Sequence, residues 1–163
     1  MIKVKNKNKI IYLLIAGVIL LAIVLFSLNN ANNLNGNYYR SKTMKLIIDI
    51  PNTYQIEDKQ ISIDLKKDNS SISIVGNGTN YSNLDDYLVN FDSRRKITVS
   101  EASRSSINGY DAISRIVSFP NENITQKSYY IFVSNTVYIF STSSQELYGD
   151  LDQIAKSFKY TGN

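Results

Sequence analysis

The chain of 163 residues contains no cysteine, no histidine and no tryptophan. Without cysteine there is no disulfide, no thiolate nucleophile and no thiolate metal site. The lipid-bearing cysteine of a bacterial lipoprotein is missing as well. Without histidine the usual general base at neutral pH, the Ser-His-Asp triad and the commonest zinc ligand are all excluded. No Asp-x-Asp-x-Asp-Gly loop offers calcium a carboxylate cage. The sequence therefore nominates no catalytic, cofactor-binding or metal-ligating residue, and no cofactor is expected.

What is present begins with an uncharged apolar run over residues 10–28, opening on Ile10 and closing on Leu28. A helix of that length spans the roughly 30 Å hydrocarbon core of a bilayer. Lys3, Lys5, Lys7 and Lys9 precede it without any acid, so residues 1–9 are expected to stay in the cytoplasm. The rival reading is a cleaved signal peptide, which calls for a shorter apolar region of about 7–15 residues and an Ala-x-Ala site. Phe26-Ser27-Leu28 ends the run instead, so an uncleaved single-pass anchor is expected, with the C-terminal domain extracytoplasmic. A buried core helix fits the lysine-rich leader poorly. Residues 29–44 are expected to be a flexible Asn-rich tether. Residues 45–163 are expected to form one domain, long enough to bury a real core. Four of the 18 cations lie in the leader, leaving fourteen to balance the 14 acids, all of them beyond the anchor. The outer domain is thus formally neutral, and the basic balance reports topology rather than a nucleic-acid surface.

Within that domain, Leu46-Ile47-Ile48-Asp49-Ile50 reads as a strand stopped by Pro51-Asn52. Ile61, Ile63 and Leu65 alternate and return through Ile72 and Ile74 as a hairpin across Lys66 to Ser70. Gly76 to Asn80 reads as a loop. Leu84, Tyr87, Leu88 and Phe91 make one helical stripe, with Ser82 the expected cap and Arg94-Arg95-Lys96 the expected close. Four strands follow: Ile97 to Ala102, Tyr110 to Phe119 behind an Asn108-Gly109 turn, Thr125 to Val133, and Thr136 to Thr142. The last two are apolar on both faces, as expected of central strands covered above and below. Ser143 to Glu146 reads as a capping box before a final helix with Leu147, Leu151, Ile154 and Phe158 on its stripe. The expected fold class is α+β, an antiparallel sheet of about six strands flanked by two helices, ordered β-hairpin, helix, four strands, helix.

Several groups invite a functional reading. Asp85-Asp86 suggest an acid–base pair, but adjacent residues do not share a helix face, and acids favour a helix N-terminus anyway. Arg94-Arg95-Lys96 suggest lipid headgroups, against the plainer reading of a solvated helix end. There are 12 tyrosines. Tyr38-Tyr39 are placed either at a membrane interface or at the start of a strand. Tyr81, Tyr110, Tyr148 and Tyr160 fit a binding surface or, by default, the edge of a core. The loop from Gly76 to Tyr81 is a candidate pocket border. Sequons at Asn69, Asn77, Asn80 and Asn123 count only in a host that glycosylates them, and the Asn/Ile/Lys-rich composition suggests a bacterium.

Three short motifs in order are Ile48-Asp49-Ile50-Pro51-Asn52-Thr53-Tyr54, Ile107-Asn108-Gly109-Tyr110-Asp111-Ala112 and Ile154-Ala155-Lys156-Ser157-Phe158-Lys159. Together they resemble the PsbP/Mog1-like fold group, over nearly the whole outer domain. The departure is Tyr54 where the group usually has tryptophan. The resemblance implies an antiparallel sheet between helices, and roles for the motifs as strand end, turn and packing anchor. That group includes extrinsic photosystem subunits, a Ran-binding protein and many bacterial proteins without assigned activity, so it carries over no catalytic residue. It favours a non-catalytic protein-binding or envelope-assembly module with an unidentified protein or envelope partner, held to the bilayer through residues 10–28 and binding no nucleic acid. A small-ligand sensor or receptor is the alternative, and a carboxylate-based enzyme ranks last.

Overall fold

A computed structural model of the chain describes residues 37–162. The basic leader, the apolar run 10–28 and residues 29–36 of the expected tether lie outside the described residues. Among the described residues no helix is long and apolar enough to cross a membrane.

Residues 37–41, expected to belong to the tether, form β1 (Asn37–Ser41), which pairs antiparallel with β2 (Leu46–Ile50). β3 (Gln55–Asp58), β4 (Ser62–Lys67) and β5 (Ser70–Gly78) lead to helix α1 (Leu84–Ser93). β6 (Thr98–Ile107), β7 (Tyr110–Phe119), β8 (Ile124–Val133) and β9 (Thr136–Thr142) follow. A single 3-10 turn (Gln145–Leu147), helix α2 (Tyr148–Lys156) and the two-residue β10 (Lys159–Tyr160) close the domain. The α+β class and the antiparallel pairing stand, but the count of about six strands in one sheet does not. Ten strands among the described residues form a seven-stranded sheet, ordered β3-β4-β5-β9-β8-β7-β6, and a three-stranded sheet, ordered β1-β2-β10.

β8 and β9 lie within the large sheet, with apolar residues on both faces, as their sequences require. Tyr129, Ile131, Val133, Tyr138 and Phe140 face a core shared with Leu151, Ile154 and Phe158 and with Leu46, Ile48 and Ile50 of the small sheet. Tyr130, Val137 and Ile139 face the other way, against Leu84, Tyr87 and Leu88 of α1. α2 and the small sheet thus cover one face of the large sheet, and α1 covers part of the other.

Several local expectations are corrected. Ile61 is 66% exposed, because the chain bends at Gln60-Ile61 and the pleat begins only at Ser62. β5 runs on through Gly78, so the expected loop at Gly76 is strand. The α1 cap is Asn83, whose side chain accepts from the Asp86 N–H at 2.8 Å, and not Ser82. Arg94 is the C-cap of α1, whose last turn holds no basic residue. No capping box forms at Ser143 to Glu146, because the chain enters a 3-10 turn there and the Glu146 carboxylate accepts from Ser70 instead. The Asn108-Gly109 turn is as expected, with φ of 50° and 88°, the double positive φ of a tight hairpin turn that glycine tolerates best.

Two Tyr-Asp-Lys groups clamp α2 from either side. Asp150 accepts from the Tyr54 hydroxyl at 2.6 Å and from Lys67 at 2.9 Å. Asp152 accepts from the Tyr129 hydroxyl at 2.8 Å and pairs with Lys127 at 2.6 Å. The Tyr54 hydrogen bond, with Lys67 behind it, holds the Asp150 carboxyl below its ordinary value. A carboxylate depressed in the folded state stabilises fully above its unfolded pKa, near about 4, and loses that contribution as pH falls through the folded value. Urea midpoints measured at pH 7 and pH 3 are expected to converge in Asp150→Asn relative to the parent chain. An unchanged pH dependence would place the acid sensitivity elsewhere.

Candidate functional site

β6 is an edge strand of the large sheet, hydrogen-bonded only to β7. Nine of its ten residues, 98–106, are exposed. It carries no proline and no lysine, and the one irregularity is a bulge between Val99 and Glu101. Natural edges are commonly blunted by such residues; this one is lightly protected. Arg104 is held flat by Asp111 through Nε and Nη2 (2.9 and 2.7 Å), and its Nη1 reaches both oxygens of Asp85 at 3.0 and 2.9 Å.

Beside this edge lies an open groove of about 530 Å³. Pairing across β6, β7 and β8 arranges two rows on its floor. Glu101, Ile116 and Lys127 form one row, and Ser103, Ser114 and Tyr129 the other. The groove thus offers an acid, an apolar residue and a base in line, next to a line of hydroxyls. Lys127 and Tyr129 are both engaged by Asp152, and Lys127 also lies 5.5 Å from the centre of the Tyr148 ring. Burial, reinforced by the Asp152 hydrogen bond, pushes the Tyr129 hydroxyl far above its ordinary value. It is a hydrogen-bonding group, not a proton acceptor. The Ser114 hydroxyl donates to the Ser103 carbonyl at 3.5 Å, with no base behind it. Glu101 faces no second carboxylate among the groove's lining residues. Among the described residues no group of three or more acids could hold a metal ion.

The residues singled out in the sequence are dispersed. Asp85 pairs with Arg104, whereas Asp86 bonds back to Asn83. Arg95 stacks on Phe91 at 3.8 Å, and Arg94 and Lys96 project from the helix end. Tyr39 lies against the main core and donates to Asp58 at 2.6 Å; burial and then that bond push its pKa up to about 12. Tyr110 and Tyr160 pack on the same core and Tyr81 on the smaller one, so the core-edge reading holds for them. Tyr38 is the exception, at 59% exposed. Asn69 sits in the β4–β5 turn, Asn77 donates to the Tyr87 hydroxyl, Asn80 follows β5, and Asn123 takes a positive φ in the β7–β8 turn. Gly76 and Gly78 do border a pocket, of about 250 Å³, with Met44, Ile61, Tyr138 and Tyr160. Tyr81 does not line it. The groove residues went unnoticed in the sequence; the one available signal was the spacing of Lys127 and Tyr129, which puts both on one face of a strand.

No protein-family model matches the chain, and no curated protein does. Solved structures do. One is the solution structure of cyanobacterial PsbP (CyanoP) from Synechocystis sp. PCC 6803, at 12% identity and a TM-score of 0.55, covering 76% of this chain and 91% of that one. Another is a protein from Bacteroides thetaiotaomicron VPI-5482, at 14% identity and a TM-score of 0.54, covering 78% of this chain. This chain spans about half, 49%, of that Bacteroides protein. Such identities carry the architecture and nothing finer. The domain is PsbP-like in fold.

Proposed function

We propose that the chain is a single-pass membrane protein whose extracytoplasmic PsbP-like domain is a non-catalytic protein-binding or assembly module. The observation that carries the binding role is the lightly protected β6 edge beside a groove with two rows of side chains. An extended segment of a partner adds to such an edge through main-chain hydrogen bonds, and its alternate side chains enter the neighbouring groove. The Glu101 row would read charge, and the Ser103 row would read polar atoms. The anchor rests on the apolar run 10–28 and its lysine-rich leader.

A photo-crosslinking residue placed at Ser103 in intact membranes is expected to give one discrete adduct. The same residue at Val89, exposed on α1, is expected to give none. No reproducible adduct, or equal adducts at both positions, would refute β6 as the interface. The glycine-bordered pocket supports a second reading, a small-ligand sensor. Its volume of about 250 Å³ lies below the roughly 300–1,000 Å³ usual for ligand sites.

A further inference from the structure

The domain is neutral overall, yet its charges are not evenly spread. Lys59, Lys66, Lys67, Arg104, Arg115 and Lys127 are each ion-paired. Eight more have no ion-pair partner among the described residues: Arg94, Arg95 and Lys96 follow α1, and the other five, Arg40, Lys42, Lys45, Lys156 and Lys159, are all exposed. These five belong to one part of the fold. Arg40 of β1 and Lys159 of β10 both pair with Ile47 of β2, from opposite sides. Leu46, Ile48 and Ile50 point into the core, so Arg40, Ile47 and Lys159 share the outer face of the three-stranded sheet. Tyr38, opposite Asp49, continues that face two residues along. Lys42 and Lys45 stand in the β1–β2 turn, and Lys156 ends α2 three residues before Lys159. Asp49 is the carboxylate on this face.

The same sheet receives the chain from residue 36. Asn37 is the first residue of its edge strand. Eight residues separate Leu28 from Asn37, which span at most roughly 30 Å even when fully extended. Whatever holds residues 10–28 therefore keeps a surface within reach of this face at high effective concentration. We propose that the outer face of the β1-β2-β10 sheet is a docking surface for the phosphate headgroups of an anionic bilayer, a reading that rests on residues 10–28 being the anchor. Each basic side chain near an anionic lipid surface multiplies partitioning about fivefold. Two unpaired cations on this face, with three more in the adjoining turn and helix end, are enough to hold a tethered domain down, and an exposed tyrosine suits the headgroup layer.

The chain's lack of cysteine makes the test clean, since any introduced cysteine is a unique labelling site. The full chain is reconstituted into vesicles of phosphatidylcholine, with or without phosphatidylglycerol, that carry a headgroup spin label. A fluorophore is attached at Tyr38→Cys or, on the far side of the large sheet, at Val89→Cys. Quenching at Tyr38→Cys is expected to rise with phosphatidylglycerol and to fall at high salt, while Val89→Cys stays at background. Combining Lys42→Gln, Lys45→Gln and Lys159→Gln is expected to weaken the contact on the order of a hundredfold, returning Tyr38→Cys to that background. Equal quenching at the two sites, or quenching indifferent to lipid charge, would overturn the docking surface. Release of the chain from vesicles by alkaline carbonate would instead overturn the anchor. Tyr38→Cys on the released chain, mixed with anionic vesicles, still reads the face by itself.

Discussion

Phe158→Ala is expected to destabilise the domain by about 3–5 kcal/mol, the usual cost of truncating a buried phenylalanine. Phe158 is fully buried, although Thr161 and Gly162 are the only described residues beyond β10. Its ring lies 5.0 Å from that of Tyr138, and meets Tyr110 and Phe140 edge-on at 5.9 and 5.8 Å. It therefore joins α2 to the large sheet on the face carrying Tyr138 and Phe140, not the face of Val137 and Ile139. Its backbone is held too, since the Asn108 side chain donates to the Phe158 carbonyl at 2.7 Å. Tyr160, two residues on, is only partly buried, and its ring is 6.3 Å from Tyr138. Tyr160→Ala should cost markedly less. In thermal melts of the purified chain, Phe158→Ala is expected to lower Tm by more than about 10 °C. Equal small shifts from both variants would mean that α2 contributes little to the core.

The Phe158 contacts also show why the three short motifs were legible. Asn108 and Tyr110 of the second motif touch Phe158 of the third. The Asp49 N–H of the first donates to the Ser157 hydroxyl oxygen, and Tyr54 donates to Asp150 in the first turn of α2. The motifs meet around one helix, so each is constrained by packing. The strands at the middle of the sheet were legible for a related reason: β8 and β9 bury both faces, which leaves a continuous apolar run in the sequence. Edges leave no such run. β3 is exposed throughout and β10 has two residues, so their sequences read as polar connections; β6 buries only Ile107, and its sequence reads as a strand only over Ile97 to Ala102. The groove escaped for a different reason. Lys127 of its floor and the Asp152 that engages it are 25 residues apart, so only the fold brings them together.

Asp92→Ala is expected to be the most damaging substitution among the charged residues, although Asp92 lies at the solvent-facing end of α1. The reason is its partner. Arg115 is 5% exposed, a cation placed under α1 on the face of the sheet that also carries Ile113 and Val117. Its Nη2 donates to Asp92 Oδ2 at 2.7 Å, and its guanidinium lies 5.6 Å from the centre of the Tyr130 ring. The other carboxylate oxygen, Oδ1, is buried without a hydrogen-bond partner. The pair is therefore a costly arrangement even when intact. Removing Asp92 strands a buried guanidinium, which typically costs about 3–5 kcal/mol. Replacing both members by apolar residues of similar volume removes the desolvation cost of each charge and is often neutral or stabilising. Asp92→Leu combined with Arg115→Met is thus expected to recover most or all of the stability that Asp92→Ala loses, measured as urea midpoints at constant m. If the double variant is as unstable as Asp92→Ala, the ion pair is itself a net source of stability. α1 would then be held to the sheet by charge as much as by Leu84, Tyr87 and Leu88.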